Sequence, residues 1–280
     1  MVRPLGILVG LGFCMALVFA LVTTVWTMAT TPTEDPKNTP YFWQQEPRPA
    51  NLPSSGPFAQ FDRVQLQRGF RVYKEVCAAC HGLNLVSFRN LEAIGYSEDQ
   101  VKTIAAEWPI QTPSVDPNTG EAAMRAPIPT DRFPSPYPNE IAARAANNNA
   151  IPPDLSLIVK ARAGHEDYIY SLLTGYRDVP AELPEALRPG VGLSYNPYFA
   201  SLNIAMANPL TGEGQVTYDD GTRATPDQMA RDVTAFLVWT SEPKLENRIK
   251  TGWAVLGFLL IFTILAYMSY RSIWAEKKGR

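Results

Sequence analysis

Two uncharged apolar stretches constrain this chain more than anything else in it. Residues 4–33, PLGILVGLGFCMALVFALVTTVWTMATTPT, follow a lone Arg3, and residues 251–270, TGWAVLGFLLIFTILAYMSY, follow Lys250. A helix of ~20 apolar residues crosses the hydrocarbon core of a bilayer, so each stretch is long enough to span one. The second is followed by Arg271, Lys277, Lys278 and Arg280 against a single Glu276, a basic end that belongs on the cytoplasmic side. Trp253, Tyr267, Tyr270 and Trp274 stand near its ends, where aromatic belts form. The first stretch is about twice as long as the ~7–15-residue apolar region of a signal peptide, which favours a retained transmembrane helix over a cleaved leader. Either way, what lies between the two is expected outside the cytoplasm.

That middle part reads as a connector and a domain. Residues 34–60 are proline-rich without helical period, and residues 61–246 form the expected extracytoplasmic domain, with 1–33, 247–274 and 275–280 as amino-terminal segment, anchor and basic tail. Asp62 is a helix N-cap ahead of the apolar positions Val64, Phe70, Val72, Tyr73 and Val76. Ser97 with Gln100 opens a second helix over residues 97–108. Eight prolines between Trp108 and Pro138 make that region a loop. Helical pieces are expected at residues 155–163 and 165–173, the latter stopped by Gly175. Thr225 and Pro226 start an amphipathic helix with Val233, Phe236, Leu237 and Trp239 on its apolar face. GQVTYDD, residues 214–220, is the one candidate strand. Charge is nearly balanced, with 25 basic and 27 acidic side chains, which disfavours a nucleic-acid binder. A mainly α domain this rich in loops needs something to wrap around, and a haem would supply it.

The chemistry concentrates in VCAACH, residues 76–81. The chain holds three cysteines and two histidines, and Cys14 falls in the first apolar stretch. Zinc would therefore need Cys77, Cys80, His81 and His165 together, with Cys80 and His81 adjacent and poorly placed to grip one ion. A thioredoxin-like dithiol would sit near a βαβ pattern, and none is visible. C-x-x-C-H on a helix reads as covalent c-type haem attachment: two thiols about a turn apart meet the two vinyl groups, and the histidine faces the iron. Attachment outside the cytoplasm agrees with the topology. On the residues alone the second axial ligand stays open among Met206, Met124 and His165. Methionine ligation would make the site an electron carrier, whereas an open position would permit peroxidase chemistry.

Four separated blocks resemble cytochrome c1, the haem subunit of the ubiquinol–cytochrome c reductase. QRGFRVYKEVCAACH departs from the family's RRGFxVYKxVCxxCH only at Gln67. YPNEIAARAANNNAIPPDLSLIVKARAGHEDYIYSLLTGY, NPYFASLNIAMANPL and DDGTRATPDQMARDVTAFLVWTSEP match further blocks. The resemblance runs from about Phe61 through the carboxy-terminal anchor. It implies a loop-rich class I cytochrome c-like domain carrying one covalent haem c on Cys77 and Cys80, with His81 and Met206 as axial ligands. It also implies that Arg162 pairs with a propionate and that Asn147 and Tyr168 line the pocket. The implied role is one-electron transfer from a Rieske iron–sulfur protein to a periplasmic cytochrome c, beside cytochrome b in a dimeric complex of the bacterial inner membrane. A stand-alone membrane-tethered shuttle or a terminal-oxidase subunit is the alternative. Two departures stand out: the amino-terminal apolar stretch is longer than a bacterial presequence, and the soluble domain has no spare cysteine pair. Acidic pairs at Glu34–Asp35, Glu98–Asp99, Glu166–Asp167 and Asp219–Asp220 are candidate steering charges for a basic partner.

Overall fold

Packing of two helices at a glycine sets the frame of the domain. The computed structural model describes residues 2–30, 35–275 and 277; most of the basic tail, and Glu34, lie outside the described residues. In chain order the helices are α1 (Val2–Thr30), the single turn α2 (Pro40–Trp43), α3 (Arg63–Val72), α4 (Glu98–Ala106), α5 (Glu140–Ala146), α6 (His165–Leu173), α7 (Pro226–Ser241) and α8 (Leu245–Ala275). Two small antiparallel pairs complete the architecture: β1 (Thr112–Val115) with β2 (Ala122–Arg125), and β3 (Ser194–Tyr195) with β4 (Asn203–Ile204). The chain is mainly α, as expected.

The helix starts follow the capping chemistry. Asp62 accepts from the N–H groups of Val64 (2.9 Å) and Gln65 (3.2 Å), Ser97 and Gln100 form a reciprocal box, and Thr225 accepts from Gln228 N–H at 3.1 Å. α3 and α7 then cross so closely that a Cβ on Gly69 would lie 2.0 Å from the Asp232 carbonyl oxygen. Around this crossing Phe70, Tyr73, Phe88, Trp108, Phe133 and Phe236 bury their rings against one another, with Phe88 and Phe133 centroids 4.1 Å apart. The expected face of α7 is buried in full: Val233, Phe236, Leu237 and Trp239 all belong to this core. Arg68 on α3 grips Asp232, a carboxylate 0% exposed on α7, at 3.0 Å, and also reaches Asp220 at 2.7 Å.

Several local expectations are corrected. Residues 155–163 are consecutive turns rather than helix: Ile158 N–H closes on the Leu155 carbonyl (3.3 Å) and Lys160 N–H on the Leu157 carbonyl (3.0 Å), three residues back instead of four. The proline-rich stretch after Trp108 contains the β1–β2 hairpin, turned at Asp116, whose carboxylate accepts from Asn118 N–H at 2.7 Å. Residues 214–220 are irregular, and the α5 helix after the Asn139 cap was not anticipated. α3 runs on into a π-helical turn, Tyr73–Cys77, that delivers the cysteines. α1 is apolar along almost its whole length and α8 from Thr251 to Tyr270; the most apolar 18-residue stretches of the two have mean hydropathies of 2.7 and 2.0, and each helix is long enough to cross a membrane.

Candidate haem site

The π-helical turn ends at Cys77, whose carbonyl accepts from Cys80 N–H (3.1 Å) and His81 N–H (2.9 Å). Tyr73, buried at the head of the turn, donates its hydroxyl to the His81 carbonyl at 3.0 Å. The C-x-x-C-H segment is therefore a closed, hydrogen-bonded unit hung from α3. Cys77 packs on the core, and burial, then the neighbouring Cys80, pushes its thiol up to about 12. A reactive dithiol or a zinc thiolate needs the opposite shift. Among the described residues no three His, Cys, Asp or Glu side chains gather into a metal-ion site.

The His81 Nδ1 lies 2.8 Å from the Pro153 carbonyl oxygen. A carbonyl only accepts, so Nδ1 carries the proton and Nε2 keeps its lone pair for a metal. Burial holds the imidazole pKa below its ordinary value, opposed by the Pro153 bond and the Asp154 charge, which keeps the ring in the neutral, ligating form. The Pro153 carbonyl is held in turn by a seam between two loops. Asp154 accepts from Asn84 N–H (2.7 Å), Leu85 N–H donates to Ser156 Oγ (3.1 Å), and Ser135 Oγ donates to Asn84 Oδ1 (3.0 Å). Gly82 makes the seam possible, since a Cβ there would stand 3.2 Å from both Asn84 Oδ1 and Asp154 Oδ2. A cleft of about 330 Å³ opens here, bordered by Cys80, Gly82, Tyr137, Ala143, Ile151 and Pro152.

The remaining predicted residues fall into two groups. Asn147, the C-cap of α5, donates to the Ala143 carbonyl at 2.7 Å, and Ala143 borders the same cleft as Cys80 and Tyr137. Met206, half-buried after β4, has its carbonyl held by the Tyr176 hydroxyl at 3.1 Å. Tyr168 and Tyr176 are both half-buried, and burial raises the pKa of both phenols, opposed at Tyr168 by the nearby Arg162 charge. Arg162 donates otherwise to the Ala161 carbonyl at 3.0 Å, and no carboxylate pairs with it among the described residues. Tyr176 thus holds the Met206 backbone and Tyr168 lies near the Arg162 charge, while Cys80 and Tyr137 border one cleft. The other ligand candidates stand elsewhere: Met124 is 57% exposed on β2, Met229 is 0% exposed in the core, and His165 is an exposed residue with its Nδ1 3.2 Å from the Val159 carbonyl.

Tyr137, Tyr176 and Asp154 were not picked out from sequence. Asp154 had a readable cue, since an aspartate directly after Pro-Pro and two residues before a free N–H is a turn-former. The tyrosines had none, because their partners are far away in the chain.

A buried Cys77 thiol with raised pKa, a neutral imidazole with its Nε2 lone pair available, a guanidinium without a carboxylate partner among the described residues and a glycine-permitted seam fit an iron porphyrin better than zinc or a redox dithiol. Together with α8 they define a membrane-anchored, mainly α haem-protein class. The profile of the Cytochrome C1 family matches residues 52–277. Cytochrome c1 of Rhodospirillum rubrum is 43% identical over 80% of the chain and 85% of its own length, and the mitochondrial "cytochrome c1, heme protein" of Schizosaccharomyces pombe is 44% identical over 81% and 72%. The "cytochrome b/c1" of Bradyrhizobium diazoefficiens is 45% identical, and this chain spans 34% of that protein's length. The chain belongs to the cytochrome c1 family.

Proposed function

We propose that this chain is the haem-bearing electron-transfer subunit of a ubiquinol–cytochrome c reductase, taking single electrons from a Rieske iron–sulfur protein and passing them to a periplasmic cytochrome c. The observation that carries the reading is the His81 Nδ1–Pro153 bond, which leaves Nε2 free beside two thiols spaced for thioether bonds. Cys77 and Cys80 hold one haem c covalently, His81 is its proximal ligand and Met206 the distal one. When bound, the haem supplies a one-electron couple at iron, with no bond chemistry on a substrate. The chain's own work is to fix the geometry. Pro153 keeps the imidazole in one tautomer and orientation, and Tyr176 fixes the backbone that carries the Met206 thioether. Arg162, free of any carboxylate partner, pairs with a propionate, a charge-assisted contact suited to the guanidinium fork. Tyr168 and Asn147 line the pocket beside it, on its two sides.

The partnership with cytochrome b is supported by two relatives: one is named as cytochrome b/c1, and the Candida albicans one as a catalytic subunit of a cytochrome b-c1 complex. The complex is a dimer in the bacterial inner membrane, the haem domain of residues 61–246 faces the periplasm, and the carboxy-terminal end is cytoplasmic. α1 is retained as a second span. Acidic pairs contribute little to partner steering, because most are used internally: Glu98 and Asp99 pair with Lys102, Glu166 accepts from Ser55 and Asp167 from Ala50 N–H, and Asp219 and Asp220 pair with Arg71 and Arg68.

The test is purification from native membranes in mild detergent. Co-purification with a cytochrome b and a Rieske protein, with haem surviving denaturation on this polypeptide, is the expected result. A covalent haem on a chain that purifies alone would point to a stand-alone shuttle instead.

A further inference from the structure

The first turns of α8 are strapped to the chain just ahead of α3. Trp253 Nε1 donates to the Pro57 carbonyl at 2.9 Å, and the Phe58 ring stacks on the indole with centroids 5.2 Å apart and planes 7° off parallel. Below them Glu246 accepts from Phe61 N–H (2.7 Å) and pairs with Arg63 (3.2 Å). The turn carrying Phe58 is closed by Gln60 N–H donating to the Pro53 carbonyl (3.0 Å), and Gly56 takes a left-handed φ of 86° near its tip. It is a built element, not a slack connector.

Its composition and position are unusual for a surface turn. From Ala50 to Phe61 there is no charged residue, and Phe58 stays 75% exposed in spite of the stack. Trp253 marks one end of the apolar part of α8 and Tyr270 the other, a separation of ~26 Å at 1.5 Å per residue. That is close to the thickness of a bilayer's hydrocarbon core, so the two aromatics belong at its two boundaries. A ring in face contact with Trp253 lies at the same depth. Lys244 and Lys250, without carboxylate partners among the described residues, stand on the headgroup side.

We propose that the uncharged turn of residues 53–58 is a membrane-contact element, with the Phe58 ring lodged among lipid headgroups beside Trp253. This rests on α8 spanning the bilayer. A domain held by one helix can pivot about it; a second point of contact fixes its tilt, and through Glu246 and Arg63 it fixes α3, from which the C-x-x-C-H turn hangs.

The experiment uses the full-length haem-loaded chain with Cys14→Ala, carrying an environment-sensitive fluorophore on Phe58→Cys or, separately, on Ser55→Cys. The chain is reconstituted in vesicles of phosphatidylcholine and phosphatidylglycerol, with a label on Val115→Cys, exposed on β1, as the aqueous reference. Aqueous iodide is expected to quench the Phe58 label about three-fold less than the reference, and a shallow lipid-borne nitroxide to quench it more than a deep one, as befits an interfacial group. Iodide quenching equal to the reference at both labelled positions, in a chain that floats with the vesicles, overturns the inference. Protection that appears only after assembly with other subunits also overturns it and gives the turn to a protein partner. A chain that fails to float removes the span on which the inference stands.

Discussion

The proton of His81 Nδ1 is given to the carbonyl oxygen of Pro153, 2.8 Å away and 72 residues further along the chain. That carbonyl has no freedom of its own, because its segment is tied to the loop after His81 by Asn84 N–H donating to Asp154 (2.7 Å) and Leu85 N–H donating to Ser156 Oγ (3.1 Å). A bond of this kind raises the basicity of a ligating imidazole. Asp154→Ala is expected to weaken it, to make His81 a poorer donor, and so to raise the reduction potential of the bound haem. Potentiometric titration of the variant at constant pH checks this, and an unchanged potential would mean that the loop seam does not tune the ligand.

The distal side allows a comparison of three methionines. Met206→Leu is expected to abolish the methionine-to-iron charge-transfer band of the ferric protein and to lower the potential, since thioether ligation favours ferrous iron. Met124→Leu, exposed on the hairpin, should leave the band intact. Met229→Leu should leave it intact too, at a cost of less than ~1.5 kcal/mol in stability, as for other near-isosteric core swaps. Near-infrared absorption of the three variants distinguishes the roles; a band that survives Met206→Leu removes that residue from the iron.

At Gly69 the closest approach of α3 and α7 leaves no room for a methyl group. A Cβ would meet the Asp232 carbonyl oxygen at 2.0 Å and the Phe236 Cβ at 2.7 Å, and both belong to helix backbone or its first side-chain atom. Gly69→Ala must therefore push the helices apart and disturb the adjacent Arg68–Asp232 pair. The expected cost is at least the ~1–3 kcal/mol typical of overpacking. Urea unfolding of the haem-loaded protein measures it, and a stability equal to the parent would mean that the crossing relaxes freely.

The parts of this fold that could be read from sequence are those governed by near neighbours. Asp62, Ser97 and Thr225 announce their helices because a cap acts within three residues, and the α7 face follows from a 3.6-residue period. The two long apolar helices are legible because a run of ~20 apolar residues is its own signal. Residues 155–163 misled because their periodic apolar positions, including the buried Leu155, Ile158 and Val159, serve equally well a run of turns closed at three-residue spacing. The same reasoning separates the site. C-x-x-C-H is contiguous and speaks for itself, whereas the Tyr176 bond to the Met206 carbonyl and the cleft shared by Tyr137 and Cys80 bridge 30 and 57 residues of chain, and no local pattern encodes them. For Arg162 the residues alone gave no role, only the family resemblance did, and the structure adds that no carboxylate pairs with it among the described residues.

Acid should open the β1–β2 hairpin before it unfolds the domain. Asp131 closes the base of the hairpin by accepting both arms of the Arg125 fork, at 2.5 and 3.0 Å, together with Ile128 N–H at 2.9 Å and Thr112 Oγ1 at 3.3 Å. The Arg125 bond, foremost, holds its carboxyl below the ordinary aspartate value. A carboxylate with a depressed folded pKa stabilises above its unfolded value, near ~4, and loses that contribution as pH falls through the folded one. The pair is partly exposed and its bonds lie within the hairpin and the turn that follows it, so the effect is local rather than global. Hydrogen exchange at residues 112–125 should accelerate as pH drops below about 4, beyond the intrinsic change of the exchange chemistry, while α3 and α7 remain protected. Asp131→Asn should show the faster exchange already at neutral pH and lose the dependence. If the variant's exchange still matches the parent's at neutral pH, the fork is not what holds the hairpin shut.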